Sequence, residues 1–232
     1  GEGSADGQTN HPVDVHQSDN GRIYVCDTHN HRVQVFDRNG SFLLKIGSYG
    51  SADGQFNQPH AVVSSDGEIF VADRYNHRVQ VFDDSGTFLR TLGGYGSLEG
   101  KFNQPTDVEL DHLGNLLISD YNNRRIVHLR KSGEFIRQYT TPDHYDSISN
   151  MPNGLTLLSR SGHLGVFDSE GIRLKEWHDP QFSDARAFAL DDGSIVRVCT
   201  GSNSLKIYRQ AFRSPRPKSS KAIPFPEILS VK

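Results

Sequence analysis

Residues 66–88 read DGEIFVADRYNHRVQVFDDSGTF, and the same pattern returns on both sides of them. Upstream, residues 20–42 read NGRIYVCDTHNHRVQVFDRNGSF; downstream, residues 113–135 read LGNLLISDYNNRRIVHLRKSGEF. The turn glycines Gly21, Gly67 and Gly114 lie 46 and 47 residues apart, and Gly40, Gly86 and Gly133 repeat those intervals. Two looser copies follow. Residues 153–172, NGLTLLSRSGHLGVFDSEGI, place Gly154 and Gly171 at the two turn positions after a shortened connection. Residues 186–208, RAFALDDGSIVRVCTGSNSLKIY, align without gaps to residues 60–82, so that Gly193 matches Gly67. Self-similarity at a fixed period is the mark of a repeat architecture.

Each copy holds four strand-like runs, which in the second copy are residues 61–64, 68–72, 78–82 and 87–92. Alternation is visible in RVQVF, and β-branched and aromatic side chains fill the runs. Asp66-Gly67 and Asn20-Gly21 are hairpin signals, because primed turns need positive φ and glycine adopts it freely. A Gly67→Val substitution is expected to destabilise the fold. Four antiparallel strands per repeat without a helical period describe an all-β fold, a β-propeller of four-stranded antiparallel blades. A single blade cannot cover both of its faces, so the blades must stack. The predicted propeller domain covers residues 1–213, with blades near 9–47, 57–93, 103–140, 146–177 and 184–213. Residues 214–232 form a basic, Pro/Ser-rich tail whose last stretch offers a closing strand.

Composition narrows the function. Hydrophobic residues make up 34% of the 232, with 22 glycines and 10 prolines, a profile of short strands and turns. No apolar run is long enough to span a membrane as a helix, so no membrane role is expected. Lys plus Arg is 25 against 28 Asp plus Glu, a net charge of −3, whereas a dedicated nucleic-acid binder carries a basic excess. Cys26 and Cys199 cannot build a disulfide framework, and a reducing, cytoplasmic setting is expected.

GSADGQFNQP at 50–59, IFVADRYNHRVQVFD at 69–83 and FLRTLGGYGSLEGKFNQP at 88–105 resemble the NHL repeat, most closely as it occurs in the NHL domains of tripartite-motif (TRIM) NHL proteins. The resemblance implies a propeller, usually of six blades, which would need more residues than are present. Either five blades form or a sixth is truncated. Residues 1–10, GEGSADGQTN, match the end of a preceding repeat, and without an initiator Met the chain reads as a fragment or processed product.

The motif D-x-x-N-H-R occurs as Asp27, Asn30, His31 and Arg32 and again as Asp73, Asn76, His77 and Arg78; Asp120, Asn122 or Asn123, and Arg124 echo it. Catalytic groups rarely recur in every blade. The structural reading makes Asp the end of the second strand, Asn the left-handed turn residue and Arg the partner returning to Asp. Asp27, Arg32, Asp73, Arg78, Asp120 and Arg124, with Gly21, Gly67, Gly114, Gly154 and Gly193, are therefore assigned to the repeat framework.

NHL-type propellers include a peptidyl-hydroxyglycine lyase whose inner-strand histidines bind zinc, as the resemblance implies. The corresponding positions here hold Val13, His60, Thr106, Ser147 and Arg186, a single histidine where about three ligands must converge. No nucleophile elbow, Walker loop or H-E-x-x-H motif is present. No catalytic residue, metal, cofactor or small-molecule substrate is expected.

A surface remains. The loops between second and third strands share a face with the connections between blades. That face is expected to gather His29, Arg74, Tyr75, Tyr121, Arg125 and Arg160, with Tyr49 and Tyr95 beside them and Phe56 and Phe102 plugged between blades. Tyr and Arg dominate interface hot spots. The expected role is a platform for a protein or peptide partner, and the resemblance adds substrate selection in a TRIM ubiquitin ligase. Single-stranded RNA, stacked on Tyr75 or Tyr121 with Arg74 and Arg125 on phosphates, is the alternative. A metal-dependent lyase or hydrolase in the propeller shaft comes third.

Overall fold

A computed structural model describes residues 1–151, 154–178, 187–190, 194–199, 204–208 and 228–231. The sequence positions Gly193 and Arg186 lie outside them. The chain divides into two compact units, Gly1–His144 and Tyr145–Lys232. Among the described residues no helix is long and apolar enough to cross a membrane.

The first unit holds three four-stranded antiparallel sheets. The first is β1 (Pro12–Gln17), β2 (Ile23–Asp27), β3 (Arg32–Phe36) and β4 (Phe42–Ile46). The second is β5 (Pro59–Ser65), β6 (Glu68–Asp73), β7 (Arg78–Asp83) and β8 (Phe88–Gly93). The third is β9 (Pro105–Leu110), β10 (Leu116–Asp120), β11 (Arg125–Leu129) and β12 (Phe135–Thr140). In each, neighbours in sequence are neighbours in the sheet.

The second unit holds two more. Its β13 (Ser147–Asn150), β14 (Thr156–Arg160), β15 (His163–Phe167) and β16 (Arg173–His178) form one sheet. The other is β17 (Ala187–Ala189), β18 (Ile195–Cys199), β19 (Ser204–Tyr208) and β20 (Ile228–Val231), so the C-terminal segment supplies a fourth strand, paired with β19. The architecture is an all-β propeller of four-stranded antiparallel blades.

Burial explains why the second strands are almost wholly apolar. Successive side chains on a strand point to opposite faces. On the middle sheet of the first unit, Ile69, Val71 and Phe82 pack toward the first sheet with Tyr24, Cys26, Val33 and Val35. The alternate residues Phe70, Ala72, Val79 and Val81 pack toward the third sheet with Val108, Leu116, Ile118 and Val127. Both faces are covered, so both register classes are apolar. Phe56 and Phe102, from the connections between sheets, are fully buried in these two cores. A Cβ on Gly93, at φ +93°, would sit 2.3 Å from the Phe102 ring, so this turn admits no side chain.

The hairpins differ from one another. Asp66 and Gly67 both have positive φ, 52° and 78°, as a two-residue primed turn requires. The Asn20-Gly21 hairpin does not follow that expectation. Its loop runs from Ser18 to Arg22, closed by Ser18 N–H to Arg22 O at 2.9 Å, and of Asn20 and Gly21 only the glycine is left-handed. The extra residue turns it into a type I turn followed by a left-handed glycine, and Gly114 is built the same way.

Candidate functional site

The turns after β2, β6 and β10 carry the site, and each begins at an aspartate with no measurable exposure. Three residues then form one 3₁₀ turn: Thr28–Asn30, Arg74–Asn76 and Tyr121–Asn123. The next residue is left-handed: His31 at φ 53°, His77 at 57° and Arg124 at 48°. The left-handed position thus belongs to His or Arg rather than to Asn, as the sequence reading had it. Asn is used differently: Asn76 Nδ2 donates to Asp73 and to Gly50 O, each at 2.8–2.9 Å.

Arg78 Nε donates to Asp73 Oδ2 at 2.8 Å, and its NH2 reaches Ala52 O and Gln55 O in the preceding connection. The Asn57 amide and Gln80 Nε2 also donate to Asp73. One carboxylate therefore ties two strands to the connection that precedes them. Asp27 does the same with Arg32, Asn30, Gln34 and the Asn10 amide. Burial pushes the carboxyls of Asp73 and Asp120 up, and their hydrogen bonds pull against it.

In the third sheet the pairing arginine is Arg125, not Arg124. Arg125 Nε donates to Asp120 Oδ2 at 2.6 Å, and the residue is 5% exposed. It occupies the place of Arg32 and Arg78, five residues after the aspartate, and is not a loop-face residue. Where Gln34 and Gln80 stand in the other sheets this one has Val127, and Arg125 NH1 turns to Gln138 Oε1 instead, at 2.8 Å. Arg124 takes the exposed left-handed position, and its Nε donates to His144 Nε2 at 3.2 Å.

Around these hubs the first unit displays an aromatic and cationic face. His31 Nδ1 accepts the Gln58 amide at 3.1 Å, and His77 Nδ1 accepts the Gln104 amide at 3.0 Å. Gln58 and Gln104 are themselves left-handed, each just before a proline, so each histidine holds the start of the following sheet. Burial holds both imidazoles below the usual histidine range, in agreement with a neutral ring accepting at Nδ1. Tyr49 packs against His31 and Tyr95 against His77, with ring centroids 4.7 and 4.9 Å apart. These tyrosines remain 68% and 73% exposed. His29 is exposed and stacks on His11 at 4.4 Å.

Arg74 lies over the Tyr75 ring at 5.1 Å and over the Tyr121 ring at 5.8 Å. Tyr75 is 39% exposed; Tyr121 is half-buried, against His144 at 4.7 Å. His29, Arg74, Tyr75 and Tyr121 thus all stand on the turns of the first unit. Arg160 belongs to the second unit, at the end of β14 and in register with His163. His11, Arg124 and His144 join these turns as well, through His29, Tyr121 and each other, although their sequence positions do not mark them for this face. For Arg124 a signal is available nonetheless, since counting five residues from each aspartate selects Arg125 as the partner and releases its neighbour.

At the inner strands, His60 Nδ1 lies 2.7 Å from Thr106 O. Among the described residues no three His, Cys, Asp or Glu side chains gather so as to hold a metal ion.

A family profile described as NHL repeat matches residues 9–36 and 56–82. RING finger protein nhl-1 of Caenorhabditis elegans is 38% identical over 63 residues, 27% of this chain and 6% of that protein. Protein brain tumor of Drosophila melanogaster is 38% identical over 60 residues, 26% of this chain and 6% of that protein. The match therefore spans a small fraction of either relative's length. Among solved structures, virginiamycin B lyase from Staphylococcus aureus superposes with a TM-score of 0.67 at 15% identity, covering 95% of this chain and 69% of that one. Kuenenia stuttgartiensis hydrazine synthase gives 0.66 at 15% identity, covering 87% and 64%. At such identities these two share the fold alone. The chain carries NHL repeats on a β-propeller fold, and over about a quarter of its length it is related to nhl-1 and brain tumor.

Proposed function

We propose that the turn face of the first unit is a non-enzymatic binding platform for a protein or peptide partner. One observation carries the reading. The Asp–Arg hubs already close every turn of that face, yet the turns and connections still hold out Tyr49, Tyr75 and Tyr95, braced by His31, His77 and Arg74. Rings held rigidly at low entropic cost are what a protein interface uses as anchors. The resemblance to TRIM NHL domains, with a relative named a RING finger protein, favours a narrower version in which the propeller selects substrates for a ubiquitin ligase, and a cytoplasmic setting belongs to the same proposal.

Binding of single-stranded RNA to the same face is the second reading, favoured by the Arg74–Tyr stacks. A lyase reading finds little support at the inner strands, where Val13, His60, Thr106 and Ser147 offer one histidine.

The test immobilises the whole chain and recovers proteins and RNAs bound from cell extract in parallel. A triple variant, Tyr49→Ala with Tyr75→Ala and Tyr95→Ala, is compared with an exposed control on an outer strand, Leu89→Ala. The platform reading expects a set of proteins lost with the triple variant and retained with the control. Identical recoveries from all three chains refute it, and loss confined to RNA transfers the face to the second reading.

A further inference from the structure

The arginines of the three turns divide into two kinds. Arg32, Arg78 and Arg125 are each consumed by a buried aspartate. Arg74 is not. Its guanidinium lies over the rings of Tyr75 and Tyr121, 5.1 and 5.8 Å from their centroids, its Nε is shielded from solvent with no hydrogen-bond partner, and among the described residues no carboxylate pairs with it. Neither its own turn nor the Tyr121 turn carries an acidic residue in its first turn. Asp73 and Asp120, the carboxylates in the adjoining chain, are committed to Arg78 and Arg125. A cation kept half-buried without a counter-charge retains part of its desolvation cost. A carboxylate brought against it would recover that cost and satisfy the guanidinium fork in a bidentate pair.

Resting on the platform reading, we propose that Arg74 is the anchor of that platform, a preorganised hook for a Glu or Asp side chain of an acidic peptide segment. Contact with two rings restricts the guanidinium before the ligand arrives, so less side-chain freedom is lost on binding. Several observations favour a peptide over a polynucleotide. A phosphate backbone is held by a row of cations, each releasing counterions. Among the described residues Arg74 and Arg124 are the guanidiniums of these turns without a carboxylate partner, two cations where a longer row would be needed, on a chain of net charge −3. His29 and Asn122, on the turns of the two neighbouring sheets, are exposed groups able to exchange hydrogen bonds with a peptide main chain.

Fluorescence polarisation on the whole chain tests the hook with three labelled probes: an octapeptide of alternating Glu and Gly, its Gln–Gly counterpart, and an oligouridine octamer. The Glu peptide is expected to bind at least about tenfold more tightly than the Gln peptide. Arg74→Ala should erase that margin, and Arg74→Lys, which keeps the charge without the fork, should restore only part of it. Among the described residues Arg74 makes no ion pair, so the melting temperatures of both variants should stay within a few degrees of the parent's. Equal affinity for the Glu and Gln peptides, or an unchanged Glu-peptide affinity in Arg74→Ala, overturns the proposal. So does an oligouridine affinity tenfold above that of the Glu peptide, which would give the site to RNA. If proteins are still captured through the tyrosines while the Glu peptide ignores Arg74, the hook falls and the platform stands.

Discussion

Replacing Arg125 and Arg124 in turn separates the two roles that adjacent, chemically identical side chains play in the third sheet. Arg125 gives five hydrogen bonds: to Asp120 Oδ2, to the carbonyls of Ser97, Leu98 and Lys101, and to Gln138 Oε1. Truncation to Ala removes the Arg125 donors from the Ser97 and Lys101 carbonyls, leaves Leu98 O with the Lys101 amide alone, and leaves Asp120 as a fully buried carboxylate whose remaining donors are the Asn103 amide and Asn123 Nδ2. Breaking a buried ion pair from one side costs about 3–5 kcal/mol. Arg124 is exposed and donates once, to His144, so Arg124→Ala should cost within about 0.5 kcal/mol. Arg124→Gly should cost no more, because relief of about 1–2 kcal/mol of left-handed strain offsets the added chain entropy. Urea denaturation followed by intrinsic fluorescence gives both numbers, and an unchanged m-value certifies that stability alone has moved. The aspartate-hub argument fails if Arg124→Ala costs as much as Arg125→Ala, or if Arg125→Ala costs under about 1 kcal/mol.

Other consequences follow from packing and protonation. Gly93→Ala should destabilise more than Gly67→Ala, because the first drives a Cβ to 2.3 Å from Phe102 whereas the second meets open space and costs only left-handed strain of about 1–2 kcal/mol. Equal urea midpoints for these two variants would contradict the plugging role of Phe102. Phe56→Ala should cost about 3–5 kcal/mol in the same assay, as expected for a fully buried ring. Burial drops the His128 pKa from 6.5 to about 4, with Arg137 adding to the effect. The unfolded chain then binds the extra proton first, so stability is present above pH 6.5 and is lost toward pH 4, by roughly 3 kcal/mol in full. His128→Gln should flatten that limb of a stability–pH curve. Glu109, pushed up to about 8 by burial, contributes in the opposite sense. Its stabilisation is complete below the ordinary glutamate range and is gone once pH has risen through about 8, so Glu109→Gln should remove a decline that runs from about pH 4.5 to about 8.

Much of the fold was legible because the repeat is written into the chain. A run such as IFVAD can be read as a strand covered on both faces once its neighbours are known to be copies of itself. The turn chemistry was less legible. The dipeptide Arg124-Arg125 offers two candidates for one role, and only the separation from the aspartate, five residues in Arg32, Arg78 and Arg125 alike, decides between them. Local propensity does not decide between Asn and the His after it for the left-handed position, since both tolerate positive φ. His31 and His77 are held there by contacts to the next sheet, 27 residues away in each case, and such bonds are invisible to a window of local sequence. The two-residue and three-residue hairpins both end in glycine, and the difference lies in whether the residue before it is also left-handed.

The division of labour within each turn says where recognition can vary. Asp, the third turn residue Asn and the returning Arg satisfy one another and the preceding connection in all three sheets of the first unit, while the left-handed residue reaches onward to the connection that follows or to His144. What lies between Asp and Asn is Thr28-His29, Arg74-Tyr75 and Tyr121-Asn122, three pairs with no residue in common. Thr28 is turned inward, its Oγ1 donating to Pro59 O at 2.8 Å, and so has been given to the framework. The other five side chains are not needed by the hub that positions them. A framework closed by one buried carboxylate per blade can therefore accept changes at these positions at little cost in stability, and that tolerance is what a binding face requires if one fold is to serve different partners.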